Sequence, residues 1–173
     1  YQGDLAPALM CLDATIHLAS LNSTRSMPLE DFFQNDGITR NVLKPGEIVT
    51  HIELPDDSLR RFGSYQKLRH RDAWDFPEGG VAFSVGVDRD GSVSSLNMAS
   101  TGFESIPRKH GDLISSLGKG PNWALEAERL GAELKRSVRP VLNTWFPPRY
   151  RKKMASVLAR RAMEEASKRV TSA

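Results

Sequence analysis

Residues 64–80, SYQKLRHRDAWDFPEGG, gather the side chains of this chain best equipped for chemistry. Lys67, Arg69, His70 and Arg71 crowd together, Asp72 and Asp75 follow, and Tyr65, Trp74 and Phe76 add aromatic rings. Cations held beside aromatic planes suit three settings. One is a nucleic-acid surface, where ammonium and guanidinium groups neutralise phosphates. Another is a flavin or nucleotide site, where a fixed positive charge stabilises negative charge as it develops. The third is a strand whose two faces merely differ in polarity. Tyr65 and Lys67 are two apart and share one face of an extended segment. Trp74 and Phe76, also two apart, are expected to pack on a sheet. Arg69 and Arg71 are expected to continue the Lys67 face and to pair with Asp72 or Asp75.

Other chemistries find no support in the residues. A nucleophile poised by a base needs a sharp turn of the GxSxG kind, which the sequence lacks. His17, His51, His70 and His110 are scattered without ligand spacing, so no metal site is expected. Neither GxGxxG nor a Walker loop is present, so nothing here cradles a pyrophosphate unaided. The single cysteine, Cys11, excludes an internal disulfide and reads as a small buried hydrophobe in the run APALMCLDA. The net charge is +3, but Arg149 to Arg169 hold eight Lys or Arg against Glu164 and Glu165, so the basic character belongs to one C-terminal segment. A helix with one apolar and one basic face is usually a solvated surface, and nucleic acid is therefore not an expected partner. No apolar run approaches the ~18 residues of a membrane span. The start, YQGDLAPALM, has no basic leader and no initiator methionine. A soluble, cytoplasmic protein is expected, and a piece of a longer one.

The elements that must position these residues follow from pattern. Asp4 before LAPALMCLDA predicts a short helix capped by its carboxylate, with Pro7 tolerated in the first turn. TIHLAS alternates as a half-buried strand with Ile16 and Leu18 inward. Residues 22–26 read as a turn, PLEDFF as a helical turn opened by proline, and EIVTHIELP as a strand ended by Pro55. A domain boundary is expected near 56–62. Beyond it SYQKLR and GVAFSVGVDRDGSVSSLNMAS read as strands, the latter two joined through Asp-Arg-Asp-Gly, a hairpin signal. Trp123, Ala127, Leu130 and Leu134 recur with helical spacing, and a last helix after Pro147 and Pro148 is expected to bury Tyr150, Met154, Val157, Leu158 and Ala162. The fold class is α+β, an antiparallel sheet with helices on one side.

Five blocks, GDLAPALMCLDATIHL, MPLEDFF, KPGEIVTHIELP, SYQKLRHRDAWDFPEGGVAF and YRKKMASVLARRAMEEASKR, occur in the order and spacing of a known family. Together they resemble the FAD-carrying medium subunit of the xanthine dehydrogenase and carbon monoxide dehydrogenase family of molybdenum hydroxylases. The resemblance implies that residues 1–56 are the C-terminal part of an FAD-binding domain and residues 60–169 the C-terminal domain of that subunit. The N-terminal half of the flavin domain, with its two glycine-rich phosphate loops, is not in this sequence. FAD binding by this chain alone is thereby put in question. Asp4, Val49 and Lys67 match positions that contact FAD in the family. Read from the residues alone, Asp4 is a helix cap, Val49 a strand core residue and Lys67 a solvated lysine. The implied function is passage of electrons from iron–sulfur clusters in a small partner subunit, reduced by a molybdenum-cofactor large subunit, to FAD and an external acceptor. The alternatives are a basic binding module without catalysis and an assembly piece that has lost its flavin.

Overall fold

The computed structural model describes residues 1–36, 38–90, 92–117, 119–120 and 122–172. The first helix, α1 (Leu5–Cys11), buries Ala6, Pro7, Met10 and Cys11. Asp4 stands at its N-cap, but its side chain caps nothing and turns elsewhere, contrary to the capping expectation. Strand β1 (Thr15–Ala19) buries Ile16 and Leu18 as the alternation requires. It pairs antiparallel with β2 (Thr24–Pro28) on one side and β3 (Ile48–Glu53) on the other. The turn between β1 and β2 falls at Ser20–Ser23, where the Ser20 N–H donates to the Ser23 carbonyl at 2.8 Å. Residues 24–26, expected in the turn, are therefore strand. Their polarity misled because β2 has no fully buried face, and Arg25 is held by a bidentate pair with Glu47. Pro28 does open a 3-10 turn, Leu29–Phe32, which buries Leu29 and Phe32.

A 3-10 turn, Asp56–Arg60, leads into β4 (Arg61–Leu68), which starts three residues before the expected Ser64. Strands β5 (Gly79–Val87), β6 (Val93–Thr101) and the short β7 (Arg108–Lys109) complete an antiparallel sheet in the order β4-β5-β6-β7. The expected β5–β6 hairpin is present, with the Asp88 N–H donating to the Ser92 carbonyl at 2.8 Å; Gly91 of its signal lies outside the described residues. Then come α2 (Gly111–Ser115), a 3-10 turn at Trp123–Glu126, α3 (Ala127–Ser137) and α4 (Pro148–Thr171).

The four-stranded sheet is a shared layer. One face buries Val81, Phe83, Val85, Leu96 and Met98 against Leu130 and Leu134 of α3 and Leu158 and Met163 of α4. The opposite face presents Ala82 and Ala99 to Met10, Cys11, Ile16, Leu18, Leu29 and Phe32. The arrangement is α+β with antiparallel sheets, and the spacing of Trp123, Ala127, Leu130 and Leu134 does mark a buried face. The face of α4 is rotated from the expected one. It buries Arg151, Ala155, Leu158, Ala159, Ala162, Met163 and Ala166, leaving Tyr150 exposed and Met154 and Val157 half-buried. Alanines win this face because α3 and α4 approach closely: a Cβ at Gly131 would press on the Ser156 carbonyl. A reading that ranks side chains by size favours the larger ones.

Candidate functional site

Strand β4 places Tyr65 and Lys67 on the sheet face that carries α1, and Asp4 at the start of that helix points back at both. The Tyr65 hydroxyl donates to Asp4 Oδ1 at 2.6 Å and Lys67 Nζ donates to Asp4 Oδ2 at 2.7 Å. Lys67 also donates to the Asp75 carbonyl, so the ammonium bridges the α1 start and the loop after β4. Burial first, then the Asp4 carboxylate, pushes the Tyr65 phenol above its ordinary range, which keeps it a neutral donor. Strand β5 allows this because it has glycine opposite Lys67; a Cβ on Gly80 would overlap the Tyr65 hydroxyl.

The loop between β4 and β5 is held by Asp75. Its carboxylate accepts from the His70 and Arg71 N–H groups at 2.9 and 2.8 Å and from the Phe76 N–H at 3.1 Å. These backbone donors, Arg71 foremost, hold the Asp75 carboxyl below its usual range. Arg69 and Arg71 sit in this loop, beyond the strand, and approach Asp72 and Asp75 at 3.6 and 3.7 Å, the partners expected for them. Trp74 and Phe76 do not pack on the sheet. Trp74 is 98 % exposed with a backbone φ of +39°, and Phe76 is 73 % exposed. The chain leaves β4 at Leu68, so the alternation that would have turned these rings inward ends before it reaches them. Beside the loop lies a cleft of about 850 Å³, lined by Gln2, His70, Asp75, Phe76, Glu78 and Trp145 among others. The His70 and Trp145 rings stack across it, centroids 5.5 Å apart.

Of the three expected cofactor contacts, Asp4 and Lys67 are therefore brought into direct contact. Val49 lies on the separate three-stranded sheet, in β3, where every residue is exposed and Ile48, Val49 and Ile52 present apolar side chains to solvent. It is not a strand core residue. Pattern did not reveal two groups that the fold assembles. Arg151 of α4 is 1 % exposed and donates to the carbonyls of Glu78, Val141 and Gly102, tying α4 to both ends of the site loop region. His17 and His51 stack across β1 and β3, although 34 residues of sequence separate them. A basic helix and unspaced histidines carry no signal of either.

An antiparallel sheet backed by two helices thus gathers a carboxylate, an ammonium and a phenol where α1 meets β4. In fold the chain is similar to a chain of the crystal structure of the Cu,Mo-CO dehydrogenase in its cyanide-inactivated form, with a TM-score of 0.83 at 23 % identity, covering 96 % of this chain and 57 % of that one. A similar match is found with quinoline 2-oxidoreductase from Pseudomonas putida 86, with a TM-score of 0.81 at 16 % identity. Residues 1–57 match the family described as the FAD binding domain in molybdopterin dehydrogenase. Among curated proteins, the nicotinate dehydrogenase FAD-subunit of Eubacterium barkeri is 34 % identical over 97 residues, 56 % of this chain and 33 % of that protein. The carbon monoxide dehydrogenase medium chain of Afipia carboxidovorans is 26 % identical over 182 aligned positions, 96 % of this chain and 57 % of that protein. The chain is thus similar to FAD-binding medium subunits of molybdenum hydroxylases, and its first 57 residues match the model of their flavin-binding domain. It spans between a third and about three fifths of the length of these relatives. Among the described residues, no helix is long and apolar enough to cross a membrane.

Proposed function

We propose that this chain is the C-terminal portion of a flavoprotein subunit of the xanthine dehydrogenase type. In it, electrons from iron–sulfur clusters in a small partner subunit, delivered there from a molybdenum-cofactor large subunit, pass to FAD and then to an external acceptor. The observation that carries this reading is the Asp4–Tyr65–Lys67 cluster. It joins Asp4, in the segment that matches the flavin domain, to Tyr65 and Lys67 of the sheet that follows, and Asp4 and Lys67 are the two that resemble cofactor-contacting positions of the family.

These residues fit one side of the cofactor. Asp4 accepts from its two neighbours and still has lone pairs for a hydroxyl or amine donor on the ligand. Lys67 has three protons, of which two are committed, so its ammonium would offer a bound cofactor one further N–H together with its positive charge. When bound, FAD would supply the acceptance and release of electrons, and the Lys67 ammonium would favour added negative charge near it. Tyr65 holds the Asp4 carboxylate in place, so the ammonium is presented in one orientation. Val49 would contribute backbone groups from β3. The phosphates need N–H donors that glycine-rich loops provide, and no such loop is in this sequence. Those donors come from chain outside these 173 residues, and the open edge of β3, with Ile48, Val49 and Ile52 exposed, is the surface on which that remainder of the flavin domain docks. Residues 1–56 and 60–169 are thus the end of one domain and the body of the next. The work of such a subunit is cytoplasmic.

The test is Lys67→Met in the subunit completed with its phosphate-binding portion. Loss of the ammonium is expected to reduce FAD retention on gel filtration or to lower the flavin reduction potential. Flavin content and potential equal to those of the unaltered subunit would show Lys67 to be an ion-pair residue of the surface only.

A further inference from the structure

The solvent face of the three-stranded sheet carries a second cluster, separate from the Asp4–Lys67 group. His17 on β1 lies directly opposite His51 on β3, and the β1–β3 register shifts immediately after His17, an irregularity of the kind that re-aims side chains. The two imidazoles stack with centroids 4.1 Å apart and planes inclined by 12°. Glu53 is two residues beyond His51 and so shares its face. Its Oε2 lies 2.9 Å from His17 Nε2. One donor atom from each of the three side chains lies within 4.8 Å of the others, and among the described residues no other group of three such donors is gathered.

Thr50 sets the tautomer of one ring. Its hydroxyl donates to the His17 carbonyl at 3.1 Å, and the same oxygen lies 3.1 Å from His51 Nδ1. With its single proton committed, the hydroxyl accepts from Nδ1–H, which leaves the lone pair of His51 on Nε2. A hydrogen bond to the far nitrogen is the usual means by which a ligating histidine is oriented.

We infer that His17, His51 and Glu53 form a binding site for a divalent transition-metal ion, Zn²⁺ or Cu²⁺, on the outer face of this sheet. Two imidazole nitrogens and one carboxylate oxygen suit these ions, with water completing the coordination. Calcium and magnesium call for a larger set of oxygen ligands. Donors around a tetrahedral ion stand roughly 3.3 Å apart, given bond lengths of about 2.0–2.1 Å. His51 and Glu53 are exposed, and their terminal torsions are broad, so they close this gap without disturbing the strands. In the metal-free protein the His17–Glu53 hydrogen bond keeps two of the ligands together, and the ion takes the place of its proton. The other nitrogen and sulfur donors are engaged elsewhere: Cys11 and His110 are buried and His70 stacks on Trp145.

The experiment is calorimetric titration of the tag-free chain with ZnCl₂ and, separately, CuCl₂. One equivalent is expected to bind, reversibly with EDTA. Affinity should fall at least about tenfold in His17→Ala and in His51→Ala and stay unchanged in His70→Ala, one decade being about 1.4 kcal/mol. Imidazole NMR signals of His17 and His51 should broaden first when Cu²⁺ is added. His51 is exposed, so its alanine variant keeps the fold, which far-UV circular dichroism checks. The absence of saturable binding up to about 1 mM of either ion, far above the micromolar range that ~8 kcal/mol provides, overturns the assignment. Equal affinity in the His17→Ala/His51→Ala double variant overturns it too.

Discussion

Replacing Arg151 by methionine should be among the most damaging single changes in this chain, and the structure says why. Its guanidinium is 1 % exposed and donates to the Glu78 carbonyl at 2.7 Å, the Val141 carbonyl at 2.9 Å, Asn143 Oδ1 at 3.0 Å and the Gly102 carbonyl. Methionine fills comparable space but donates nothing. The bonds to Glu78 and Gly102 are buried, and each orphaned acceptor costs about 1–3 kcal/mol. With two such buried acceptors orphaned, a loss of about 2–6 kcal/mol is expected. For a chain of this length each kcal/mol moves the thermal midpoint by about 2–4 °C, so the midpoint should fall by roughly 4–24 °C. Urea unfolding followed by circular dichroism reads the loss directly, provided the slope is unchanged. Lys152→Met, one position along, should stay within about 0.5 kcal/mol of the parent. An Arg151→Met protein less than about 1 kcal/mol destabilised would refute the reasoning, because the acceptors would then have found other donors at little cost.

Leu158→Ala empties a buried place between α4 and the sheet and should cost about 2–5 kcal/mol, whereas Lys152→Ala should leave the urea midpoint where it was. Equal, negligible effects would mean that α4 is not packed on the sheet. Burial, assisted by the Arg108 charge, lowers the His110 imidazole to about 3. The folded state refuses a proton that the unfolded chain accepts near pH 6.5, so the His110 contribution is complete above that pH and is lost as pH falls toward 3. His110→Gln should flatten the decline of the thermal midpoint between about pH 6.5 and 5, and an unchanged slope there would remove His110 as its source. Hydrogen bonds from Arg25 foremost, and from the Lys44 N–H, hold the Glu47 carboxyl down at about 2. Its contribution is present above about pH 4.5 and disappears as pH falls through 2, so Glu47→Gln should lose stability at neutral pH and show a weaker acid transition.

What could be read from the sequence was what short-range pattern controls. The alternation in TIHLAS, the helical spacing from Trp123 to Leu134 and the Asp-Arg-Asp-Gly hairpin all depend on residues within a dozen positions of one another, and each matches the structure. Tyr65 and Lys67 were legible as a pair for the same reason. That both reach Asp4, more than 60 residues away, depends on α1 lying across the sheet, which no local pattern reports. Arg151 looked like one more member of a basic helix face, since a buried guanidinium differs from a solvated one only in the carbonyls that long-range folding brings to it. The same holds for His17 and His51, separated in sequence and adjacent through strand pairing. Trp74 and Phe76 were misplaced because the period of two was carried past the end of β4 into a loop organised by Asp75. Family resemblance addresses a different gap, because ion-pair geometry alone does not distinguish a cofactor-contacting role for Asp4 and Lys67 from a structural one.

The central claim is that this chain closes one side of an FAD site whose phosphate-binding side lies elsewhere. Titration of FAD into the purified chain, followed by flavin fluorescence and by absorbance after gel filtration, tests it most directly. Asp4, Lys67 and the backbone near Val49 offer a few hydrogen bonds worth about 0.5–1.5 kcal/mol each, or about 1.5–3 where charged, against the ~8 kcal/mol that micromolar affinity requires after ordering costs. The account predicts a colourless protein with no saturable binding in the micromolar range, and yellow, stoichiometric flavin once the phosphate-binding portion of the flavin domain is added and docks. Stoichiometric FAD retained by these 173 residues alone would contradict it.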